Sequence, residues 1–208
     1  MAKKLVKRNV INTLKTARKK PNGFMNVKKV ISNEPGNNGA NKNINESWCK
    51  VDGTQIEDVS LYIKEYLSNT DKYDTVRLMI GTDGLAIWQS KTTVLIKIMT
   101  VIVLYKVGKG AHIIKRRESH FLKRQDSELD AITFEKLNME ADKTIELALY
   151  LREKIGIDPE IHMDLNPSDL YKSNKVYQVV HGYQEGLGFK TKYKSVAHVA
   201  SIAADHFL

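Results

Sequence analysis

The sequence predicts an α/β domain in which a mixed sheet is covered by helices on both faces. Two observations carry that expectation. Three β-rich stretches follow one another between Val76 and Arg117, joined by turns as antiparallel neighbours are. After them, helical and extended patterns alternate to the C-terminus, the order that builds parallel crossovers.

Residues 32–47 are dominated by Asn, Gly and Ser, which bury little and favour turns, and they read as a linker. The chain therefore divides into a basic, flexible extension with its linker, 1–47, and a folded domain, 48–208. Val10 to Leu14 is a helix-compatible stretch within the extension. In the domain, Ile56, Val59, Ile63 and Leu67 recur at helical spacing, so Ile56 to Leu67 predicts a helix. Val76 to Asp83 is a strand ending in Gly81-Thr82-Asp83-Gly84. Val94 to Val107 is a long β-branched strand, and Gly108-Lys109-Gly110 turns it into Ala111 to Arg117. Phe134 to Ile155 is a long helix closed by Gly156. Ile161 to Leu165, Lys172 to Leu187, Phe189 to Tyr193 and Ala197 to Phe207 complete the order as strand, helix, strand and helix.

Charge is unevenly placed. The net charge is +9, from 33 Lys+Arg and 24 Asp+Glu, and residues 1–55 hold 12 bases and 3 acids, a difference of +9. The rest of the chain, with 21 of each, is neutral. No acid precedes Glu34. Such an arm suits phosphate neutralisation, which is blind to sequence. A solubilising tail, an acidic partner or an anionic membrane would fit the same charge. Lys3, Lys4, Lys7, Arg8, Arg18, Lys19 and Lys20 are the candidate contacts there. Arg116 and Arg117 belong to a second basic run, which also includes Lys115, Lys123 and Arg124.

The single cysteine, Cys49, excludes an internal disulfide and a Cys-rich zinc site and fits a reducing, cytoplasmic setting. The most apolar run, Val94 to Tyr105, is too short for a membrane span and is broken by Lys97. The N-terminus lacks the apolar core of a secretory signal, although a basic, acid-free leader imitates an organellar presequence. No Walker loop or GxSxG elbow is present.

Two carboxylates fall where strands are expected to end, Asp83 and Asp164. Sites in open α/β sheets gather there, although Asp also caps turns. The long helix adds a third. With Glu140 at zero and about 100° per residue, Leu151, Thr144, Leu137, Ile155, Ala148 and Ala141 fall between roughly 20° and 100°, the buried stripe. Glu135, Asp142, Glu146 and Glu153 lie opposite, and Glu140 alone among these acids borders the stripe. A carboxylate there needs a cationic partner, water or a metal. The last helix offers Asp205, with His198 and Ser201 on its face. Four hard oxygen donors suit Mg2+ or Mn2+ rather than zinc, and such ions activate water for phosphodiester hydrolysis.

Ile80-Gly81-Thr82-Asp83, the segment Val101 to Gly110, Ile161-His162-Met163-Asp164, Ser173-Asn174-Lys175 and Ala203-Ala204-Asp205-His206 together resemble, in order, the YkuK-type family of ribonuclease H-like nucleases. The resemblance runs from about Val51 to Leu208. It implies a ribonuclease H-like fold, a five-stranded sheet in the order 3-2-1-4-5, and an acidic metal site. By position it implies catalytic, metal-ligating roles for Asp83, Glu140, Asp164 and Asp205, and Lys175 joins the candidate nucleic-acid contacts. The family reads Gly-Thr-Asp-Ser-Gln where this chain has Gly84-Leu85 after the Asp. The function expected is metal-dependent cleavage of nucleic acid, with His198 or His206 assisting proton transfer. The competing readings are a nucleic-acid-binding protein without turnover and, more distantly, a sugar-kinase or actin-like ATPase.

Overall fold

The computed structural model describes residues 48–71, 75–123, 129–194 and 198–208. In chain order these form β1 (Trp48–Lys50), β2 (Gln55–Ile56), α1 (Val59–Ser68), β3 (Val76–Trp88), β4 (Thr93–Lys106), β5 (Gly110–Lys123), α2 (Leu129–Ile155), β6 (Glu160–Met163), α3 (Asn174–Leu187), β7 (Thr191–Tyr193) and α4 (His198–Phe207). Contacts divide the chain into two units, 1–41 and 42–208, and every described residue belongs to the second. The extension over 1–47, with Lys3, Lys4, Lys7, Arg8, Arg18, Lys19 and Lys20, lies outside the described residues, as does Arg124. No helix among the described residues is long and apolar enough to cross a membrane.

The strands form one mixed sheet in the order β2-β1-β5-β4-β3-β6-β7. The expectation of five strands is thus corrected to seven. β1 and β2 have three and two residues, too few for a period-two pattern to register, and they add a hairpin to the edge of β5. Ile56, expected to begin a helix, pairs with Trp48 instead. The helix begins at Val59 because Asp58 caps it: its Oδ1 accepts the N–H groups of Ser60 and Leu61 at 2.8 and 3.0 Å.

Alternation along the strands decides how the sheet is covered. Leu78 and Ile80 of β3, with Ile102, Leu104, Ile114 and Ile161, face a core built with Val59 and Ile63 of α1, Leu137, Ala141, Ala148 and Leu151 of α2, and Val176 and Val180 of α3. Met79, Met99, Val101 and Val103 face the other way and bury Ala204 of α4, with Phe207 packed beside it. β3 and β5, expected to stop at Asp83 and Arg117, continue to Trp88 and Lys123, because both stay in register with β4. α2 likewise starts earlier than Phe134, at Leu129, and Ile132 packs on Val94, Ile96, Ile98 and Leu122 of that extension.

Glu160, at the start of β6, is buried and ringed by cations. Arg77 and Lys192 stand 2.8 and 2.9 Å from Oε1, and His162 Nε2 2.7 Å. Burial pushes the Glu160 carboxyl up, but hydrogen bonds from His162, Lys192 and Arg77 outweigh it and hold the group at about 2. Burial also pushes the His162 imidazole down, against the pull of Glu160. A carboxyl lowered on folding stabilises the native state above its ordinary value, and that contribution is lost as pH falls through the folded value. Glu160→Gln is expected to be about 2–3 kcal/mol less stable than wild type at pH 6. The gap should close between pH 4.5 and about 2. Urea melts across that range measure it, and a gap independent of pH would show that the charge is not what counts.

Candidate active site

Successive residues of β3 reach opposite faces of the sheet, and the site is built around that fact. Thr82 and Gly84 face α2. The Thr144 and Thr82 hydroxyls are 2.9 Å apart, Thr82 and Thr100 follow at 3.3 Å, and Thr144 donates to the Glu140 carbonyl at 2.8 Å. These buried threonines pin α2 to β3 and set Glu140, one turn earlier, over Gly84. A Cβ at Gly84 would stand 2.8 Å from Glu140 Oε1, 2.9 Å from Ile98 Cδ1 and 3.2 Å from Lys136 Cγ. Only a glycine admits so close an approach.

Glu140 is 6% exposed. Burial pushes its carboxyl up to about 7, against Lys136, which pulls it down by charge and hydrogen bond; Asp83 and Asp164 push it further up. Lys136 Nζ lies 2.7 Å from Glu140 Oε1 and donates to the Gly84 carbonyl at 2.9 Å.

Asp83 lies between Thr82 and Gly84 and takes the α4 side. It is not at the end of its strand as expected. The strand that ends here is β6, whose pairing with β3 closes at Gly81 and His162, and Asp83 lies just past that point. Its Oδ1 accepts the Gly84 N–H at 2.8 Å. Burial raises its carboxyl, opposed by Gly84 and Lys136 and reinforced by the charges of Asp205 and Asp164. Asp164 directly follows β6, its side chain 46% exposed and 3.4 Å from Lys194 Nζ. Asp205 is exposed on α4. It is brought near Asp83 because the preceding Ala204 is fully buried on Met79, Met99, Val101 and Val103. Arg117 donates to the Phe207 carbonyl and fixes the end of that helix. A small cleft beside the acids is lined by Thr82, Glu140, Ala141, Thr144, Met163 and Asp164.

The charges of Asp164, just after β6, and Asp205, on α4, reach Asp83 on β3, and those of Asp83 and Asp164 reach Glu140 on α2, so Asp83 is the hub. Among the described residues, however, no three His, Cys, Asp or Glu side chains stand close enough to hold a metal ion as they are placed. Lys136 and Lys194 hold Glu140 and Asp164. The donor chemistry still fits a hard divalent cation: the oxygens are carboxylate, and the charges that raise Asp83 are those a cation would relieve. Asp164 and Asp205, both exposed, can turn toward one.

The other expected residues separate. Arg117 and Lys175 are exposed, on β5 and in the first turn of α3. Arg116 is corrected from a surface contact to a buried one: it is 5% exposed, bonded to Glu118 at 3.1 Å and stacked over Trp48. Its strand position faces the side that α2 covers. His206 is exposed beside Phe207. His198 opens α4, and its side chain lies outside the described residues. Lys136, the packing role of Gly84 and the Thr82–Thr144 contact were missed. The i,i+4 spacing of Lys136 and Glu140 was the signal that pointed to the first.

A mixed sheet with carboxylates from two strands and two helices gathered past one strand end defines an α/β domain with an acidic centre. The model of the ribonuclease H-like family matches residues 58–208, and the chain belongs to that family. No curated protein and no solved structure matches the chain.

Gly84→Ala is expected to cost about 1–3 kcal/mol, as overpacking does. In a Glu140→Ala background the cost should shrink, since the nearest atom is gone. Denaturant midpoints of the four proteins in the cycle test this; equal costs in both backgrounds would mean that Glu140 does not crowd Gly84.

Proposed function

We propose that this chain is a YkuK-type, metal-dependent nuclease that hydrolyses phosphodiester bonds in nucleic acid. What supports the reading is that carboxylates distant in sequence act on one another: Asp164 and Asp205 on Asp83, and Asp83 and Asp164 on Glu140.

Asp83, Asp164 and Asp205 would hold Mg2+ or Mn2+, and Glu140 completes the acidic set. When bound, such an ion supplies a polarised water and neutralises charge on the phosphate. The chain's own residues do the rest. Gly84 and the threonine contacts keep Glu140 in place. Lys136 keeps a positive charge inside the acidic set. His198, two turns before Asp205 on its face, or the exposed His206, next to it, passes a proton to the leaving oxygen. Arg117 and Lys175 on the domain, and the lysines and arginines of 1–30, attract the phosphate backbone without reading sequence. A cytoplasmic setting belongs to the same reading, which Cys49, the chain's single cysteine, suits.

Asp83→Asn is expected to lower Mg2+- or Mn2+-dependent cleavage of a labelled oligonucleotide by at least about 100-fold. The thermal melt should be unchanged or raised, because the substitution removes a carboxyl crowded by two others. Cleavage as fast as wild type would end the assignment. Salt-sensitive binding with no hydrolysis under any metal would instead identify a nucleic-acid-binding protein without turnover.

A further inference from the structure

Past Asp83 the sheet narrows to β3, β4 and β5. β6 leaves β3 at Gly81, and β1 pairs with β5 only at Lys115 and Ile114. The three strands run on together to Trp88, Thr93 and Lys123 in unbroken register. On the α2 side this ribbon is packed, with Ile132 on Val94, Ile96, Ile98 and Leu122. On the other side α4 covers the sheet only as far as Met99. Among the described residues, the apolar side chains beyond Met99 on that side join none of the buried clusters.

Alternation and register fix what this open face presents. Leu85 stands beside Lys97, and Ile87, Leu95 and Phe121 form one row across the three strands. Leu85 is 45% and Phe121 65% exposed. The cations of the face are Lys97, Arg117 beside Met99, and Lys123 beside Thr93. No acid of the three strands shares it past Asp83. Glu118, the one acid between Asp83 and Lys123 in the chain, takes the opposite side, against Arg116 and Lys143. Ile87 lies four residues along the strand from Asp83, about 13 Å away.

Apolar and basic groups with no acid among them select a partner. A second copy of this chain, meeting the face with its own, would bring one positive surface onto another. A duplex offers phosphates but keeps its bases stacked inside. Unpaired bases have free apolar faces, which stack on an aromatic ring while basic side chains track the phosphates. Resting on the nucleic-acid reading above, we infer that the open face of β3, β4 and β5 is a platform for unpaired bases, Phe121 stacking one of them, and that the chain takes single-stranded nucleic acid. The platform begins at Asp83, so a strand lying along it runs toward the acidic centre. Phe121, two strands away on β5, is a binding residue and not a catalytic one.

Fluorescence anisotropy of the full chain in EDTA reads this apart from cleavage. The probes are a labelled oligothymidylate of about 12 nucleotides, within the span such surfaces cover, and its duplex with oligoadenylate. Wild type is expected to bind the single strand more tightly than the duplex at equal salt. Phe121→Ala should weaken single-strand binding about 10-fold and leave duplex binding and the thermal melt unchanged. Phe121→Trp should keep the wild-type affinity. Single-strand affinity unchanged in Phe121→Ala, or lost equally with the duplex, would overturn the inference. So would a wild-type dimer, or a hold on phosphatidylserine vesicles, that Phe121→Ala abolishes while sparing the single strand. Metal-dependent cleavage alongside an unchanged single-strand affinity in Phe121→Ala would leave the nuclease reading standing and remove only the platform. Single-strand binding that needs Phe121, without cleavage under any metal, would keep the platform and remove the nuclease. A wild type that binds neither probe would remove both.

Discussion

Burial between a helix and a sheet drives a carboxylate toward its neutral form, and at Glu140 the Lys136 ammonium pulls it back toward the anion. That pair sets the local geometry. Lys136 reaches the Gly84 carbonyl as well as Glu140, so one ammonium ties α2 to β3 across the middle of the sheet. The contact is possible because residue 84 has no side chain. One turn on, Thr144 meets Thr82 and holds the same two elements. Ionic and hydroxyl contacts together locate the helix along the strand more narrowly than the apolar stripe alone, which tolerates sliding and repacking.

β3 also joins the two faces of the sheet chemically. Thr82 and Gly84 serve the α2 side, and Asp83 between them serves the α4 side, so acids carried by helices on opposite faces are both within electrostatic reach of Asp83. This requires an edge to reach around, and the end of β6 supplies it. Past Gly81 and His162 the parallel partner is gone, whereas β4 continues the pairing of β3 to Trp88. The notch is therefore one-sided. Glu160 and His162 occupy the same strand before the notch but are committed to Arg77 and Lys192. The acid at the start of β6 is structural, and the acid just past its end is available.

α2, β4 and α3 were legible because their periodicity had room to repeat, and Glu140 was marked by its angle on the helix. The β1–β2 hairpin was not, since three residues and two carry no pattern. The continuation of β3 past Asp83 was hidden for another reason. Gly84 reads as a turn residue, and only the pairing with β4 shows that it is a close-packing residue inside a strand. Arg116 was misread because a run of basic residues on a strand alternates in and out, and its inward member is spent on Glu118 and Trp48. The place where the chain departs from the Gly-Thr-Asp-Ser pattern is the place that Glu140 and Lys136 fill. A sequence motif shows that the residue changed, but the neighbour that moved into the space comes from more than fifty positions later.

The charge map then constrains how a polyanion is approached. The chain from residue 56 onward is neutral, with 21 bases and 21 acids, so it has no net pull on nucleic acid. The acids around Asp83 repel phosphate locally unless cations offset them. Under the proposed function, attraction therefore falls to the excess of nine positive charges within residues 1–55 and to individual exposed bases such as Arg117 and Lys175. An internal ammonium beside the acids lowers the local repulsion without waiting for a metal. Its contribution is short-ranged and partly buried, so it is screened by salt far less than the attraction of the basic segment. Binding and turnover in such an arrangement respond to different variables, ionic strength governing the first and divalent metal the second.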